Sequence, residues 1–284
     1  MEKYKIRTDL TKVVGGVKLY RIEALVDFAN VGKGELGGYV QGGQNLSQDD
    51  NSWIYGDARV YGDARVYGDA RVFDHAEVYG DARVYGDARV YGHAEVYDDA
   101  RVYGDARVYG HAEVYDYAEV YDHAEVYGDA EVYDYARVYE DAMVYVNAMV
   151  YGNARVYGNA RVFDHVEVYD DAEVYDYAMV YDDAEVYGRA EVYGDARVNG
   201  RAEVSRDAKV CAVTDYVVFK NIWSSGRYFT HTRSNKMWKV GCFYGTGEEL
   251  VEKARKDGDV SAREYARVVK YVEEMYADLE KDKK

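Results

Sequence analysis

The chain has 284 residues, of which 34 are Tyr, 27 are Gly and none is Pro, and its formal net charge at pH 7 is −17. Pro lacks a backbone donor and fits poorly inside sheets, so its complete absence favours a long uninterrupted ladder of backbone hydrogen bonds. Residues 1–54 hold 7 acidic and 7 basic residues, residues 55–210 hold 34 and 15, and residues 211–284 hold 12 and 14. The acidity is therefore confined to the middle of the chain. This excludes nucleic-acid binding by counterion release there and favours a basic protein partner or a cation.

The cysteines and the hydropathy pattern indicate the cellular compartment in which the protein is expected and whether it is expected to bind a cofactor. Cys211 and Cys242 are the two cysteines, and they form neither a CxxC pair nor a disulfide framework. The first residues contain no apolar run of signal-peptide length, and no stretch approaches the ~18 apolar residues of a membrane helix. We expect a reduced, cytoplasmic protein without membrane contact, and we predict no metal site, no cofactor and no catalytic residue.

Residues 1–53 precede a regular repeat and are predicted to form an N-terminal β cap. Residues 12–22 have the pattern of a β-hairpin with a Gly15-Gly16 turn. The Gly-rich stretch over residues 32–43 is expected to be irregular. A cap is expected because an open β-solenoid exposes strand edges that pair with other chains.

From residue 54 to residue 210, every sixth residue is Val or Ile, and the unit is Val-Tyr-Gly-Asp-Ala-Arg. Ala follows four residues after each Val from Ala58 to Ala208, interrupted only by Val166, and Tyr follows one residue after from Tyr55 to Tyr193, replaced there only by Phe73 and Phe163. A period of six fits a short strand and a corner, with Ala and Val inside and Arg, Glu and Tyr outside. Gly or Asp and the residue after it turn the chain. The segment 54–211 is predicted to be a β-solenoid.

Sorting of the outward charged residues indicates how many sides the solenoid has. With three repeats to a coil, residues 18 apart stack above one another, and charges of one type collect in columns. About twenty-six repeats would then form a rod ~40 Å long, at ~4.8 Å per coil. The columns are Arg59, Glu77, Glu95, Glu113, Glu131, Met149, Glu167, Glu185 and Glu203; Arg65, Arg83, Arg101, Glu119, Arg137, Arg155, Glu173, Glu191 and Lys209; and Arg71, Arg89, Arg107, Glu125, Met143, Arg161, Met179 and Arg197.

Charge repulsion within a column is expected to be balanced sideways, by the corner residue two positions earlier. The sequence places an opposite charge there in many repeats. The predicted lateral pairs are Asp57 with Arg59, His75 with Glu77, His93 with Glu95, Arg189 with Glu191, and Arg201 with Glu203.

This repeat resembles the left-handed parallel β-helix of the hexapeptide-repeat family over residues 54–210, although that family has a small residue where this chain has Tyr. Left-handed winding is implied by the resemblance alone, since parallel crossovers in general favour the right-handed form. The N-terminal blocks at residues 19–25, 34–40 and 45–47, with Trp53, resemble hexapeptide-repeat proteins of phage and prophage genomes. That resemblance implies that the protein is encoded by a phage, and such a protein is expected in the cytoplasm of the host cell.

Residues 212–284 are predicted to form a small C-terminal α+β domain. Residues 215–219 are expected to form a strand, and residues 227–233 and 236–243 a hairpin. Thr246 and Glu249 form a capping box that opens a helix to about residue 256, and a last helix starts at residue 259 or 261. One apolar stripe follows this helix. It consists of Tyr265, Val268, Val269, Val272, Tyr276 and Leu279.

Two groups of residues are candidates for a site. The first is an acidic and histidine-bearing face, interpreted as solvated corner residues paired with Glu, as a metal-binding column of stacked His and Glu, or as catalytic histidines. The second is a basic and aromatic hairpin that binds an anion, a nucleotide or an acidic partner, or docks on the acidic rod. The first group is His75, Glu77, His93, Glu95, His111 and Glu113, and the second is Arg227, His231, Arg233, Lys236 and Trp238.

The sequence favours a non-enzymatic scaffold that presents an acidic, Tyr-rich rod to a protein partner, including as a nucleic-acid mimic or host-defence antagonist. One alternative is an acyltransferase, because the resemblance implies trimers with a catalytic His near a projecting loop and coenzyme A as donor. The uninterrupted repeat contains no such loop, and fold does not imply function. A second alternative is a nucleotide or anion binder that uses the C-terminal domain. The oligomeric state, including a homo-oligomer, is left open.

Overall fold

A three-sided parallel β-solenoid forms most of the molecule, and the computed structural model describes residues 2–281. Each side carries nine short rod strands, stacked along the axis in three parallel sheets. Glu77 pairs with Glu95 and Val78 with Val96, so neighbours in a sheet are 18 residues apart. The prediction of three repeats per coil is therefore confirmed.

Three names are used for the sides of the rod, each defined by its strands. Face 1 contains Arg59–Val60, Glu77–Val78, Glu95–Val96, Glu113–Val114, Glu131–Val132, Met149–Val150, Glu167–Val168, Glu185–Gly188 and Glu203–Arg206. Face 2 contains Arg65–Val66, Arg83–Val84, Arg101–Val102, Glu119–Val120, Arg137–Val138, Arg155–Val156, Glu173–Val174, Glu191–Val192 and Lys209–Val210. Face 3 contains Trp53–Ile54, Arg71–Val72, Arg89–Val90, Arg107–Gly110, Glu125–Gly128, Met143–Val146, Arg161–Asp164, Met179–Val180 and Arg197–Val198.

The corners of the rod follow from backbone conformation. At every sixth residue from Gly56 to Arg206, two positions after the inward Val or Ile, the backbone has positive φ, for example 59° at Gly56 and 60° at Asp74. Gly and Asp reach this left-handed region at the lowest cost among common residues. Between the corners the Val and Ala side chains are fully buried, including Val166 in the place of an Ala. The core is thus a narrow apolar column along the axis.

The N-terminal segment begins as the predicted hairpin and then joins the rod. Strands β1 (Tyr4–Val14) and β2 (Val17–Ala24) are antiparallel around Gly15 and Gly16, whose φ values are 53° and 83°. Strand β3 (Leu36–Val40) pairs antiparallel with β2 and parallel with the first strand of face 1.

The expectation that residues 32–43 are irregular is wrong, because β3 lies within them. Gly37 and Gly38 allow the close approach, since a Cβ at these positions would lie 2.6 Å from Ile22 and 2.4 Å from Ile54. A 3-10 turn, Gly43–Asn45, follows, and Leu46 bridges in parallel to Val66 of face 2.

An irregular first coil therefore precedes the regular repeat, and the solenoid has about ten turns. Trp53, at the start of face 3, is fully buried, and Tyr4 and Phe28 pack edge-on against it with ring centroids at 6.1 and 5.4 Å. These aromatic rings close the N-terminal end of the apolar core.

The C-terminal unit is a four-stranded antiparallel sheet and two helices, preceded by the 3-10 turn Val213–Asp215. Its capping box is confirmed, since the Thr246 side chain accepts from the Glu249 N–H and the Glu249 carboxylate accepts from the Thr246 N–H. The strand predicted over residues 236–243 is broken at Gly241, where φ is 53°. Neither described helix is long and apolar enough to cross a membrane. The elements are β4 (Tyr216–Lys220), β5 (Tyr228–Thr232), β6 (Met237–Val240), β7 (Phe243–Gly245), α1 (Gly247–Arg255) and α2 (Asp259–Lys281).

The C-terminal unit covers the end of the rod through side-chain acceptors. Thr230 Oγ1 accepts from the Glu203 N–H at 2.9 Å, and Ser234 Oγ accepts from the Lys209 N–H at 2.7 Å. These N–H groups belong to the last rod strands of faces 1 and 2, where no further coil follows. The sheet edge is thereby closed, as an open solenoid requires.

Three corner residues with positive φ are neither Gly nor Asp, namely Glu140, Val146 and Arg206, and the β-branched Val146 tests the backbone argument. Val146 has φ 67°, a conformation that costs a β-branched residue roughly 1–2 kcal/mol and that Asn tolerates. We expect Val146→Asn to raise the free energy of unfolding by about 1 kcal/mol in urea titrations. The matched reverse change, Asp164→Val at the same corner one coil on, is expected to lower it by a similar amount. A loss of stability in Val146→Asn would contradict the account.

Candidate functional sites

Tyrosine ladders line all three faces of the rod. On face 1 the rings of successive tyrosines stack with centroids 4.8–5.1 Å apart and interplanar angles of 1–5°. The rings are half-buried, so they cover the rod and support the sheet as stacked neighbours. The face 1 ladder is Tyr61, Tyr79, Tyr97, Tyr115, Tyr133, Tyr151, Tyr169 and Tyr187.

Ten ladder hydroxyls donate to the glutamate 16 residues further on. Tyr79 Oη donates to Glu95 Oε2 at 2.9 Å. Burial, and then the hydrogen bond and charge of Glu95, raises the pKa of Tyr79 far above its ordinary value, so the phenol remains a donor at neutral pH. The same bond joins Tyr61 to Glu77, Tyr97 to Glu113, Tyr109 to Glu125, Tyr115 to Glu131, Tyr151 to Glu167, Tyr157 to Glu173, Tyr169 to Glu185, Tyr175 to Glu191 and Tyr187 to Glu203.

Ion pairs on the rod run between coils and not within a repeat. Arg101 pairs with Glu119 at 3.0 Å and Arg107 with Glu125 at 2.9 Å, in each case across 18 residues. The lateral pairing predicted from the sequence is wrong, because stacked neighbours in register lie closer than the corner residue two positions earlier. None of its five pairs forms an ion pair in residues 2–281: Asp57 with Arg59, His75 with Glu77, His93 with Glu95, Arg189 with Glu191, and Arg201 with Glu203.

Charge compensation differs sharply between the faces. Every outward Glu of faces 2 and 3 has a basic partner: Glu119, Glu125, Glu173 and Glu191. On face 1, basic partners occur only at the two ends, where Arg59 pairs with Glu77 and Lys239 with Glu203. The carboxylates between them have no ion pair within the described part of the chain, and they are Glu95, Glu113, Glu131, Glu167 and Glu185.

The histidine-bearing edge of face 1 lies where the sequence places it. His75, His93 and His111 stack at successive corners with centroids 5.0 Å apart, and all three are exposed. The carboxylates of Glu77, Glu95 and Glu113 stand in the adjacent column. Across residues 2–281, no group of three or more His, Cys, Asp or Glu side chains has an arrangement suited to a metal ion.

The basic and aromatic hairpin forms one side of a cleft at the C-terminal end of the rod. His231, Arg233, Lys236 and Trp238 line a cavity of about 690 Å³, together with α2 and the end of face 2. Arg227 does not join them. It lies in a separate groove of about 530 Å³ that includes Glu167, Glu185 and Glu203 of face 1.

Within the cleft, His231 is held between aromatic rings. The centroid of Trp238 lies 4.7 Å away and that of Tyr276 5.5 Å away. Burial lowers the pKa of His231 to about 4, so the imidazole is neutral at pH 7. Arg233 lies 5.2 Å over the Tyr276 ring and 3.4 Å from the Glu280 carboxylate.

Sequence analysis missed Tyr276 and Glu280 as cleft residues. Tyr276 was assigned to the apolar stripe of α2, which it does join. Their spacing of four residues, which places both on one helix face with Val272, is a signal that the sequence contains.

Comparison with known proteins identifies similarity to one family model, described as YdcK Beta solenoid repeat. It matches residues 54–66, 76–92, 82–98, 94–110, 100–116 and 154–166, all within the rod. No curated protein matches the chain. The similarity supports the β-solenoid of the repeats, while membership of the hexapeptide-repeat family, a phage origin and left-handed winding stay predictions.

The buried His231 predicts a pH-dependent stability. An unfolded histidine titrates near ~6.5, whereas folded His231 stays neutral to about pH 4. Between these values the unfolded chain binds an extra proton, so stability is complete above pH 6.5 and falls by about 3 kcal/mol towards pH 4. We expect His231→Phe, which keeps a stacked ring, to reduce this dependence in urea unfolding between pH 8 and 4.

The matched control is His75→Gln, which removes an exposed histidine and leaves the cleft intact. An unchanged pH dependence in His231→Phe would show that the imidazole is not the group responsible.

Proposed function

We propose that this chain is a non-enzymatic scaffold whose solenoid presents face 1 to a basic protein partner. The observation that carries the proposal is the row of carboxylates without ion pairs, which occurs on face 1 between Glu95 and Glu185. Equivalent carboxylates on faces 2 and 3 are neutralised within the rod. Face 1 is thus the side of the rod whose negative charge is available to a basic partner.

The carboxylates of face 1 are also fixed in position. Tyr97 and Tyr115 hold Glu113 and Glu131 at 2.8 and 3.0 Å, and the same contact recurs along the face. Successive carboxylates one coil apart repel by roughly 0.9 kcal/mol in water. In the same direction, burial and the neighbouring charges of Glu203 and Glu167 raise the pKa of Glu185. A partner that places Lys or Arg along the row relieves this repulsion without having to order the side chains first.

A sharper form of the proposal is that face 1 imitates the phosphate row of a nucleic acid and antagonises a host DNA-binding protein. Its support is the row of fixed negative charges one coil apart, interrupted at Met149, together with the N-terminal resemblance to phage proteins. The Arg columns of faces 2 and 3 confine such imitation to one side. Competition with DNA for a basic histone-like protein tests this form, and no competition at physiological salt would remove mimicry while leaving the scaffold.

The alternative of an acyltransferase is carried by fold resemblance alone. Every rod corner consists of two residues, so the loop that such an enzyme projects between subunits would have to come from another copy or another segment. An enzyme of that kind trimerises and gains thermal stability with coenzyme A. Light scattering and thermal unfolding with and without coenzyme A distinguish it from the scaffold.

Two variants that change the net charge of the protein by the same amount test the role of face 1. The triple variant Glu95→Gln, Glu113→Gln and Glu131→Gln keeps acceptors for the tyrosine hydroxyls and removes three carboxylates that have no ion pair. We expect it to weaken binding of a ten-residue oligolysine at least about tenfold by calorimetry at 150 mM salt.

The control carries the same change in net charge on face 2, where each carboxylate has a basic partner. It combines Glu119→Gln, Glu173→Gln and Glu191→Gln. We expect its affinity for oligolysine to stay within about threefold of the parent, because charges beyond a Debye length of ~8 Å are screened. Equal losses in both variants would mean that net charge alone attracts the probe.

A further inference from the structure

The cleft between α2 and the end of the rod contains two buried polar atoms that have no hydrogen-bond partner among residues 2–281. They are Nδ1 of His231 and Oη of Tyr276, in side chains only 7% and 8% exposed. Both residues line the cleft. Buried polar groups are nearly always paired, so two such atoms in residues that line one cavity need an explanation.

A neighbouring tyrosine on the same helix shows the ordinary situation. Tyr265, also buried, accepts a hydrogen bond from Asn221 Nδ2 at 3.0 Å. The unit therefore satisfies one of the two buried α2 phenols internally and leaves the other, at the cleft, to an outside partner.

The walls of the cleft suit a flat ring. Trp238, His231 and Tyr276 form a continuous aromatic group, with His231 between the other two, and Tyr193 from the end of the face 2 ladder lines the same cavity. Because burial keeps the pKa of His231 at about 4, its neutral imidazole offers one donor and one acceptor. A volume of about 690 Å³ lies within the usual range for small-molecule sites.

The rim of the cleft carries the charge for an anion. Lys236 has no ion pair within the described part of the chain, and Arg233 is held by Glu280 at 3.4 Å. The acidic lining residues are Asp215, Glu273 and Glu280. Asp215 accepts from the N–H groups of Cys211 and Ala212 at 2.9 and 3.0 Å, while Glu273 adds a negative charge to the lining. An incoming anion therefore competes with Glu280 for the Arg233 guanidinium.

We propose that this cleft binds a nucleotide, with its base against His231 and Tyr276 and its phosphate at Lys236 and Arg233. The base edge supplies the donor and acceptor that Nδ1 and Oη lack. Since both atoms are themselves buried, the side chains of His231 and Tyr276 have to shift to bring them to the base. The proposal does not depend on the proposed function of face 1. It concerns a small ligand at the end of the rod, whereas face 1 concerns a protein partner along its side.

The first experiment is calorimetric titration of the full chain with AMP, GMP, CMP and UMP, and with the matching nucleosides and inorganic phosphate. We expect at least one nucleotide to bind with 1:1 stoichiometry and a Kd below about 1 mM, and each of its fragments to bind at least tenfold more weakly. Absence of binding by all four nucleotides overturns the proposal. Phosphate that binds as tightly as the nucleotide overturns the role of the base.

Matched variants on α2 separate a ligand site from a structural defect. Tyr276→Phe is expected to weaken nucleotide binding about tenfold without lowering the thermal midpoint, because Oη makes no bond in the free protein. Tyr265→Phe is expected to lower the midpoint, because it removes a satisfied hydroxyl, and to leave affinity unchanged. If Tyr276→Phe lowers the midpoint as much as Tyr265→Phe, Oη is already paired and the argument fails.

Two charge changes at the rim of the cleft are expected to have opposite effects on the affinity for a nucleotide. Glu280→Gln is expected to strengthen nucleotide binding at least threefold, because it frees Arg233, while Lys236→Gln weakens it by a similar factor. Weaker binding in Glu280→Gln would contradict a phosphate at Arg233.

Discussion

The rod depends on one backbone requirement: every sixth residue from Gly56 to Arg206, two positions after the inward Val or Ile, adopts positive φ. Gly56 and Asp74 show how the sequence meets it, with a residue that reaches this region at low cost. A corner of constant size returns the chain to the same face after three repeats, so residues 18 apart stack in parallel register. The apolar column of Val and Ala, the tyrosine ladders and the charge columns all follow from that return. A different corner in one repeat would displace every residue that comes after it.

Because the coils stack, the order of charged residues along the sequence determines which charges lie on each face of the rod. A residue meets the one 18 positions later in register, while a tyrosine hydroxyl reaches the glutamate 16 positions later, as Tyr79 reaches Glu95. Where the column above a Glu is basic, as at Arg101 and Glu119, the charge is neutralised inside the rod. Where the column repeats Glu, the carboxylates are held by phenols, which fix their positions and leave their charge. The same contacts that stabilise the ladders therefore make face 1 acidic and rigid.

Features that depend on period and residue type could be predicted from the sequence. The 18-residue coil, the two-residue corners, the Gly15-Gly16 turn and the capping box at Thr246 belong to this class. Features that depend on the direction and length of side chains between coils could not be predicted. For this reason the sequence analysis predicts ion pairs within a repeat, whereas the ion pairs of the rod run between coils. In the C-terminal unit, residue types indicated the cleft side chains His231 and Trp238. The pairing of His231 with Tyr276 needed the packing of α2 against the sheet, which an apolar stripe does not specify.

Cross-linking tests the coil period most directly. In a Cys211→Ser, Cys242→Ser background, His93→Cys with His111→Cys places two cysteines at stacked corners with Cα atoms about 4.8 Å apart, within the Cα–Cα range of a disulfide. The matched pair His93→Cys with Asp105→Cys is 12 residues apart and lies on different corners. We expect rapid oxidation to a disulfide in the 18-residue pair and little in the 12-residue pair, measured by mass spectrometry of the folded protein. Faster or equal cross-linking in the 12-residue pair would contradict a coil of three repeats, and with it the assignment of charges to face 1.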